Sequence, residues 1–222
     1  MKWEDDGIVI YKKALQEKGF LVGLLTRHHG RYSGWVRGHA LPQLGEHVHC
    51  TWSARTEDQL GTWKLEHVGQ PTTLQQPDRL MAISSMCQLC FQALPERHAY
   101  TSIFDAALML AETEDHWRAA YIMFELTFLK EMGFGLSLES CAVTGKTEGL
   151  AYVSPKTGCA VTQEVGEPYH AHLLPLPLFL TQAVWPPFTP SMYEEALELT
   201  GYFIAKHICH DRLPNLRQML AA

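Results

Sequence analysis

Thiols and imidazoles are the residues of this chain best equipped for chemistry, and their spacing decides what each can do. Cys87 and Cys90, in Cys87-Gln88-Leu89-Cys90, have the separation of a dithiol redox site. Such a site needs a strand before it and a helix N-terminus that lowers one thiol pKa. Here the pair falls well inside an apolar helical pattern, which reads as two buried structural thiols. Cys141, Cys159, His170 and His172 are the ligand types of a Cys2His2 zinc centre, but no tight C-x-x-C pair anchors them. His28-His29 and His47-x-His49 offer further imidazoles. Alternate strand residues share a face, so His47 and His49 either share a ligand or line a solvated strand face; we read the solvated face. Gly133-Phe134-Gly135 follows a helical pattern, whereas phosphate cradles precede one. No G-x-S-x-G or H-E-x-x-H occurs and no paired-acid arrangement is worth defending, so these motifs propose no catalytic chemistry. An enzyme using Cys87 and Cys90 is the competing reading from a different class.

A second constellation is cationic and aromatic. Lys12, Lys13, Arg27, Arg31, Arg37, Arg55 and Lys64 are interleaved with Tyr11, Tyr32, Trp35, Trp52 and Trp63. Single-strand binding combines a positive groove for phosphates with aromatic faces for bases. The same pattern also fits a barrel whose aromatics are core and whose cations are solvated. The net charge of −6 argues against nucleic acid when taken alone. Its distribution is uneven: residues 1–70 hold nine Lys and Arg against eight Asp and Glu, and the rest holds nine against sixteen. Any polyanion site therefore belongs in the first third of the chain.

The elements that must position these residues change character near residue 78. Strand-like runs over 7–15, 20–26, 32–37, 48–55 and 63–68 are separated by turn signals. Five short runs at this spacing predict a five-stranded, partly open barrel of the OB type, with an SH3-like barrel as the structural alternative. Residues 70–76 form a polar connector. Helical periodicity then predicts helices from Asp78 to Pro95, from Tyr100 to Ala111 and from Asp115 to Met132, ended by Gly133 and Gly135. Residues 136–172 break the pattern and predict a small β-insert. Pro175, Pro177, Pro186, Pro187 and Pro190 mark a stiff connector. Ser191 and Glu194 then have the spacing of a capping box for a helix to about His210, with a short helix after Pro214. The expected class is α+β: an N-terminal barrel domain over 1–70, then a helical domain over 71–222 carrying the insert at 136–172. The opening Met1-Lys2-Trp3-Glu4-Asp5-Asp6 is acidic and lacks an apolar h-region, and no run is long enough to span a membrane. A cytosolic protein with six free thiols is expected.

Several motifs together resemble the RecO family of bacterial DNA repair proteins, most closely its alphaproteobacterial branch. Trp3-Glu4-Asp5-Asp6-Gly7-Ile8-Val9-Ile10 is similar to the family's opening. Leu25-Thr26-Arg27, Gly30-Arg31 and Gly34-Trp35-Val36-Arg37-Gly38 are similar to its second and third strands. Glu125 with Leu129, the run from Glu131 to Leu138 and Cys141 resemble the segment leading into its zinc-ribbon-like insert, and Ala151 to Gly158 the insert's hairpin. Leu174-Pro175-Leu176-Pro177 and Leu213-Pro214-Asn215-Leu216-Arg217 extend the resemblance over nearly the whole chain.

The resemblance implies an OB-fold followed by a helical body, and a cytoplasmic, nucleoid-associated mediator without catalytic residues or cofactors. It implies binding of single- and double-stranded DNA, annealing, engagement of the tail of the single-strand binding protein (SSB), and RecA loading with RecR. The alternative is a protein-docking barrel that mainly binds RecR and touches DNA weakly. Two departures stand out. Many members hold zinc with two C-x-x-C pairs. Here the first pair reads Cys141-Ala142-Val143-Thr144, and the second falls at Thr162 and Val165. One ligand of four cannot hold zinc, so the insert is expected to have lost its metal and to fold on packing alone. The stretch between Gly38 and Leu44 is also shorter and less basic than the family implies.

On an OB-fold, oligonucleotides bind the face of strands two and three. That assigns DNA contact to Arg27, Arg31 and Arg37, extended by Lys12, Lys13 and Arg55. Trp35 stacks a base if its ring faces outward, and it shares a strand face with Arg37. For the acidic, apolar-tipped SSB tail, the available cations of the helical body are Arg97, Arg118 and Lys130.

Overall fold

The computed structural model describes residues 1–14, 19–37, 42–56, 59–68, 76–210 and 213–220. The expected connector at 70–76 and the short 38–44 stretch fall mainly outside these residues. The chain divides into two compact units: Met1–Phe124 together with Pro214–Leu220, and Glu125–Leu213.

The first unit begins with strands β1 (Lys2–Ala14), β2 (Phe20–Thr26), β3 (Gly30–Val36), β4 (His47–Ser53) and β5 (Gly61–His67). They close into a barrel of order β1-β2-β3-β5-β4, with β1 pairing antiparallel to both β2 and β4 and a parallel contact joining β3 to β5. This is the OB-fold. Strand alternation turns Val22, Leu24, Tyr32, Val36, Val48, Cys50, Trp52 and Trp63 into one buried cluster. Gly34 makes room for it, because a Cβ there would lie 2.7 Å from the indole nitrogen of Trp63. That nitrogen donates to the Val22 carbonyl at 3.1 Å. Strand β1 starts five residues earlier than expected. Its acidic opening hides a strand pattern in which Asp5 is buried and Trp3 stacks on Trp52 at 5.6 Å.

Helices α1 (Pro77–Ala93) and α2 (Thr101–Glu112) follow, then α3 (Trp117–Glu131), whose residues to Phe124 belong to this unit. Pro77 opens α1, where a missing N–H costs nothing. Pro95 ends it by forcing Leu94 into an extended conformation, ψ 130°. Inside, the hydroxyls of Ser85 and Tyr121 share a buried hydrogen bond of 2.8 Å. The last helix, α6 (Asn215–Leu220), packs against α1.

In the second unit a three-stranded sheet of order β7-β6-β8 is built from β6 (Leu150–Val153), β7 (Ala160–Thr162) and β8 (Leu174–Pro175). One turn of helix, α4 (Gln163–Gly166), follows β7, and α5 (Pro190–His207) completes the unit. The capping box expected at Ser191 and Glu194 does not form. Thr189 caps α5, accepting from the Met192 N–H at 3.3 Å, with Pro190 in the first turn. That places Ser191 inside the helix, where its hydroxyl donates to Glu195 at 3.0 Å. The buried Glu125 carboxylate accepts from the Thr200 hydroxyl. The proline-marked connector is held by rings: Phe179 meets Trp185 at 5.2 Å and Phe188 at 5.3 Å. Among the described residues no helix is long and apolar enough to cross a membrane.

Candidate nucleic-acid interface

Strand register draws an outward row across the barrel. Lys13 of β1 stands opposite Leu21 of β2, Leu21 opposite Trp35 of β3, and Trp35 beside Thr62 of β5. The neighbours Val22 and Val36 point into the core, so alternation sends Leu21 and Trp35 outward. Lys13 is exposed and Trp35 half-buried. Arg37, two residues past Trp35 on the same face, is exposed. Lys12 is exposed too and donates to the Pro42 carbonyl at 3.4 Å. Arg55, exposed, lies two residues past Ser53, which pairs with both Lys2 and Thr62, so it emerges beside the start of β1, at the far end of that strand from Lys12 and Lys13. Lys12, Lys13, Trp35 and Arg37 thus gather where β1 and β3 end and β2 begins, and Arg55 lies beyond Thr62. The row's aliphatic and hydroxyl members, Leu21 and Thr62, were not anticipated. Alternation about Val22 and Leu24 is the signal that would have found Leu21.

Arg27 and Arg31 sit elsewhere and are engaged. Arg27 is ion-paired with Asp105 and lies 5.2 Å over the Phe104 ring. Arg31 donates to the Leu94 carbonyl at 2.9 Å, meets Glu96 at 3.4 Å and lies 5.2 Å over Phe91. Both fasten the barrel to α1, α2 and their connection. The other aromatics also serve the fold: Tyr32, Trp52 and Trp63 are core, and Tyr11 stacks on Phe91.

The histidines of the barrel face carboxylates. Asp5, its side chain 2% exposed, receives the backbone N–H groups of His28 and His29 at 2.8 and 3.2 Å and contacts both Nδ1 atoms at 2.9 and 2.8 Å. Burial pushes the Asp5 carboxyl up, but these donors together outweigh it and hold the pKa below the usual value. His47 meets Glu112 and His49 meets Asp6 through Nδ1, each at 3.2 Å, so the two rings face different carboxylates. On β1, β4 and β5, the rows Asp6–His49–Glu66 and Glu4–Thr51–Lys64 carry more acid than base.

Cys87 and Cys90 are buried in α1, and Cys87 donates to the Val9 carbonyl at 3.4 Å. Burial lifts the Cys87 thiol to about 12 and Cys90 well above its ordinary value, so neither supplies a thiolate near neutrality. Arg97, whose guanidinium lies 5.6 Å over Tyr32, and Arg118, 3.7 Å from Asp78, belong to the first unit; Lys130 is exposed in the second.

In the insert, Cys141, Cys159, His170 and His172 do not converge. Cys159 donates to the Thr157 carbonyl at 3.6 Å, and Nδ1 of His170 lies 2.9 Å from the Glu167 carbonyl. Among the described residues no group of three His, Cys, Asp or Glu side chains is placed to hold a metal. A tetrathiolate zinc does not fit the donor set, because Cys141 brings sulfur while Thr144, Thr162 and Val165 do not.

Comparison with known proteins agrees with the barrel-then-helix order. The family model described as "Recombination protein O N terminal" matches residues 1–68, and "Recombination protein O C terminal" matches residues 74–217. Relatives carrying the name DNA repair protein RecO include those of Rhodospirillum centenum, 40% identical over 94% of this chain and 87% of that protein. Those of Rhodospirillum rubrum, 38% identical over 94% and 89%, and Xanthobacter autotrophicus, 39% identical over 100% and 95%, are similar.

Proposed function

Because the chain belongs to the RecO family of DNA repair proteins, we propose that its barrel binds single-stranded DNA along the Lys13–Leu21–Trp35 row. The observation that carries this reading is the row itself. A half-buried indole is flanked by an ammonium across one strand and followed by an exposed guanidinium just past the end of its own strand. Trp35 offers a π-face to a base while Lys12, Lys13, Arg37 and Arg55 take phosphates. This is the pairing of stacking platform and cationic track that single-strand binding uses. Arg27 and Arg31 lie outside that surface, engaged by α2 and by the end of α1. Duplex DNA would meet the same cations through phosphates alone. Annealing, engagement of the acidic SSB tail by one or more of Arg97, Arg118 and Lys130, and RecA loading with RecR are the activities such a module serves, with no catalytic step of its own.

A second reading is favoured by the acidic rows on β1, β4 and β5. That face repels phosphate and suits a protein partner, which in this family would be RecR. The experiment that separates the two is a titration with fluorescein-labelled oligo-dT at two salt concentrations, with and without RecR. Binding that weakens steeply with salt and is lost in a K13A/R37A variant supports the DNA site. Weak, salt-insensitive binding beside tight RecR association overturns it.

A further inference from the structure

We propose that a hydrogen-bonded thiol–hydroxyl cluster of Cys141 and Thr162 closes the β-insert in place of a metal ion. Cys141 and Thr162 are 2% and 4% exposed. The chain turns back tightly after Cys141: its N–H donates to the Lys146 carbonyl and its carbonyl accepts from the Gly145 N–H, both at 2.8 Å. Gly145 takes φ +70°, a value that suits glycine. Within the turn, the Thr144 hydroxyl accepts from the Lys146 N–H at 3.4 Å. From the end of β7, the Thr162 N–H reaches the Cys141 sulfur at 3.4 Å, and the Thr162 hydroxyl lies 3.8 Å away.

Hydrogen bonds converging on a ligand atom are how proteins orient metal-binding side chains, so the insert keeps that geometry around one sulfur. The donor set has changed. Structural zinc takes thiolate, imidazole or carboxylate in a closed set of four. The C-x-x-C positions here read Cys141, Thr144, Thr162 and Val165. Neutral hydroxyls are poor zinc ligands but good donors to sulfur. Thr162 therefore binds the cysteine directly, joining the turn that begins at Cys141 to the end of β7. The cluster is independent of the DNA reading, since it concerns only the insert.

The test uses the full-length protein, measured by elemental analysis and by hydrogen exchange with and without EDTA. Zinc is expected well below one ion per chain, with exchange in residues 137–165 unchanged by EDTA. Cys141→Ala and Thr162→Val are each expected to speed exchange of these amides about fivefold to tenfold, the scale of one missing hydrogen bond. Stoichiometric zinc in the wild-type protein, or faster exchange in EDTA, overturns the proposal. So does unchanged exchange in both variants. A gain-of-function variant, Thr144→Cys/Thr162→Cys/Val165→Cys, guards against loss of folding in the others. It is expected to take up one zinc and to become EDTA-sensitive. Failure to bind zinc from excess would place the cluster off the ligand positions and overturn the proposal too.

Discussion

The rings of Tyr11 and Phe91 stack with centroids 4.3 Å apart and planes within 9° of parallel. Helix α1 therefore covers β1 and β2 at the level of Tyr11 and Gly23, where a Cβ on Gly23 would approach Phe91. Lys13, Leu21 and Trp35 lie one step further along the same face. The helix thereby divides the outward face into a packed part and a part left for a ligand.

That division separates two kinds of substitution. Trp35→Ala should weaken oligo-dT binding by about 1–3 kcal/mol with little change in the salt slope, because it removes stacking and no charge. Arg37→Ala should lower the slope by roughly 0.7, since one phosphate of the single strand is no longer neutralised. Fluorescence anisotropy over a salt series checks both. A Trp35→Ala protein with wild-type affinity would move the stacking platform away from β3.

Substitutions at Arg27 and Arg31 should act on stability first. The Arg27–Asp105 pair joins side chains 35% and 51% exposed, so solvent screening limits it to about 0.2–1 kcal/mol. Arg31 is only 16% exposed and donates to a carbonyl, so Arg31→Ala should cost more, about 1.5–3 kcal/mol. Urea unfolding midpoints measure the order. The reverse order, or a loss of DNA affinity without loss of stability, contradicts this assignment.

Acid should loosen the β2–β3 turn. The folded-state pKa of Asp5 is depressed, so its contribution is fully present above the unfolded carboxylate value of about 3.9 and is lost as pH falls through the folded one. Asp5→Asn places an amide donor against the N–H groups of His28 and His29. It should cost about 1–3 kcal/mol at pH 7 and flatten the decline in stability below about pH 4. Thermal melts of both proteins between pH 3 and pH 7 test this. Parallel acid limbs would show that Asp5 is not the titrating group.

The C-x-x-C pair should be inert. With both thiols buried and raised, native protein should leave Cys87 and Cys90 unmodified by iodoacetamide at pH 8, while unfolded protein is labelled at both. Peptide mass mapping reads the result. Labelling in the native state at a rate faster than unfolding would reopen the thiol-enzyme reading.

Features that depend on local pattern are legible in the chain before any folding. The alternation around Val22 and Leu24, the period near 3.6 from Leu80 to Cys90 and the stop at Pro95 specify strands and helices through backbone sterics and side-chain periodicity, which need only neighbours in the chain. The ordered motifs, from Trp3 to Arg217, were enough for the family. The acidic residues Asp5 and Asp6 hid the start of β1, because only the closed barrel brings the turn at His28 and His29 around to bury and satisfy the Asp5 carboxylate. Packing also settles which cations face solvent. Arg27, Arg31 and Arg37 look equivalent in the sequence, each at a strand end. Asp105 is 78 residues from Arg27 and the Leu94 carbonyl 63 from Arg31, so helices α1 and α2 engage two of the three and leave Arg37 exposed beside Trp35. Charge and spacing show that a guanidinium is present. Whether it binds a phosphate or its own fold depends on which distant carboxylate or carbonyl the packing brings within hydrogen-bond reach.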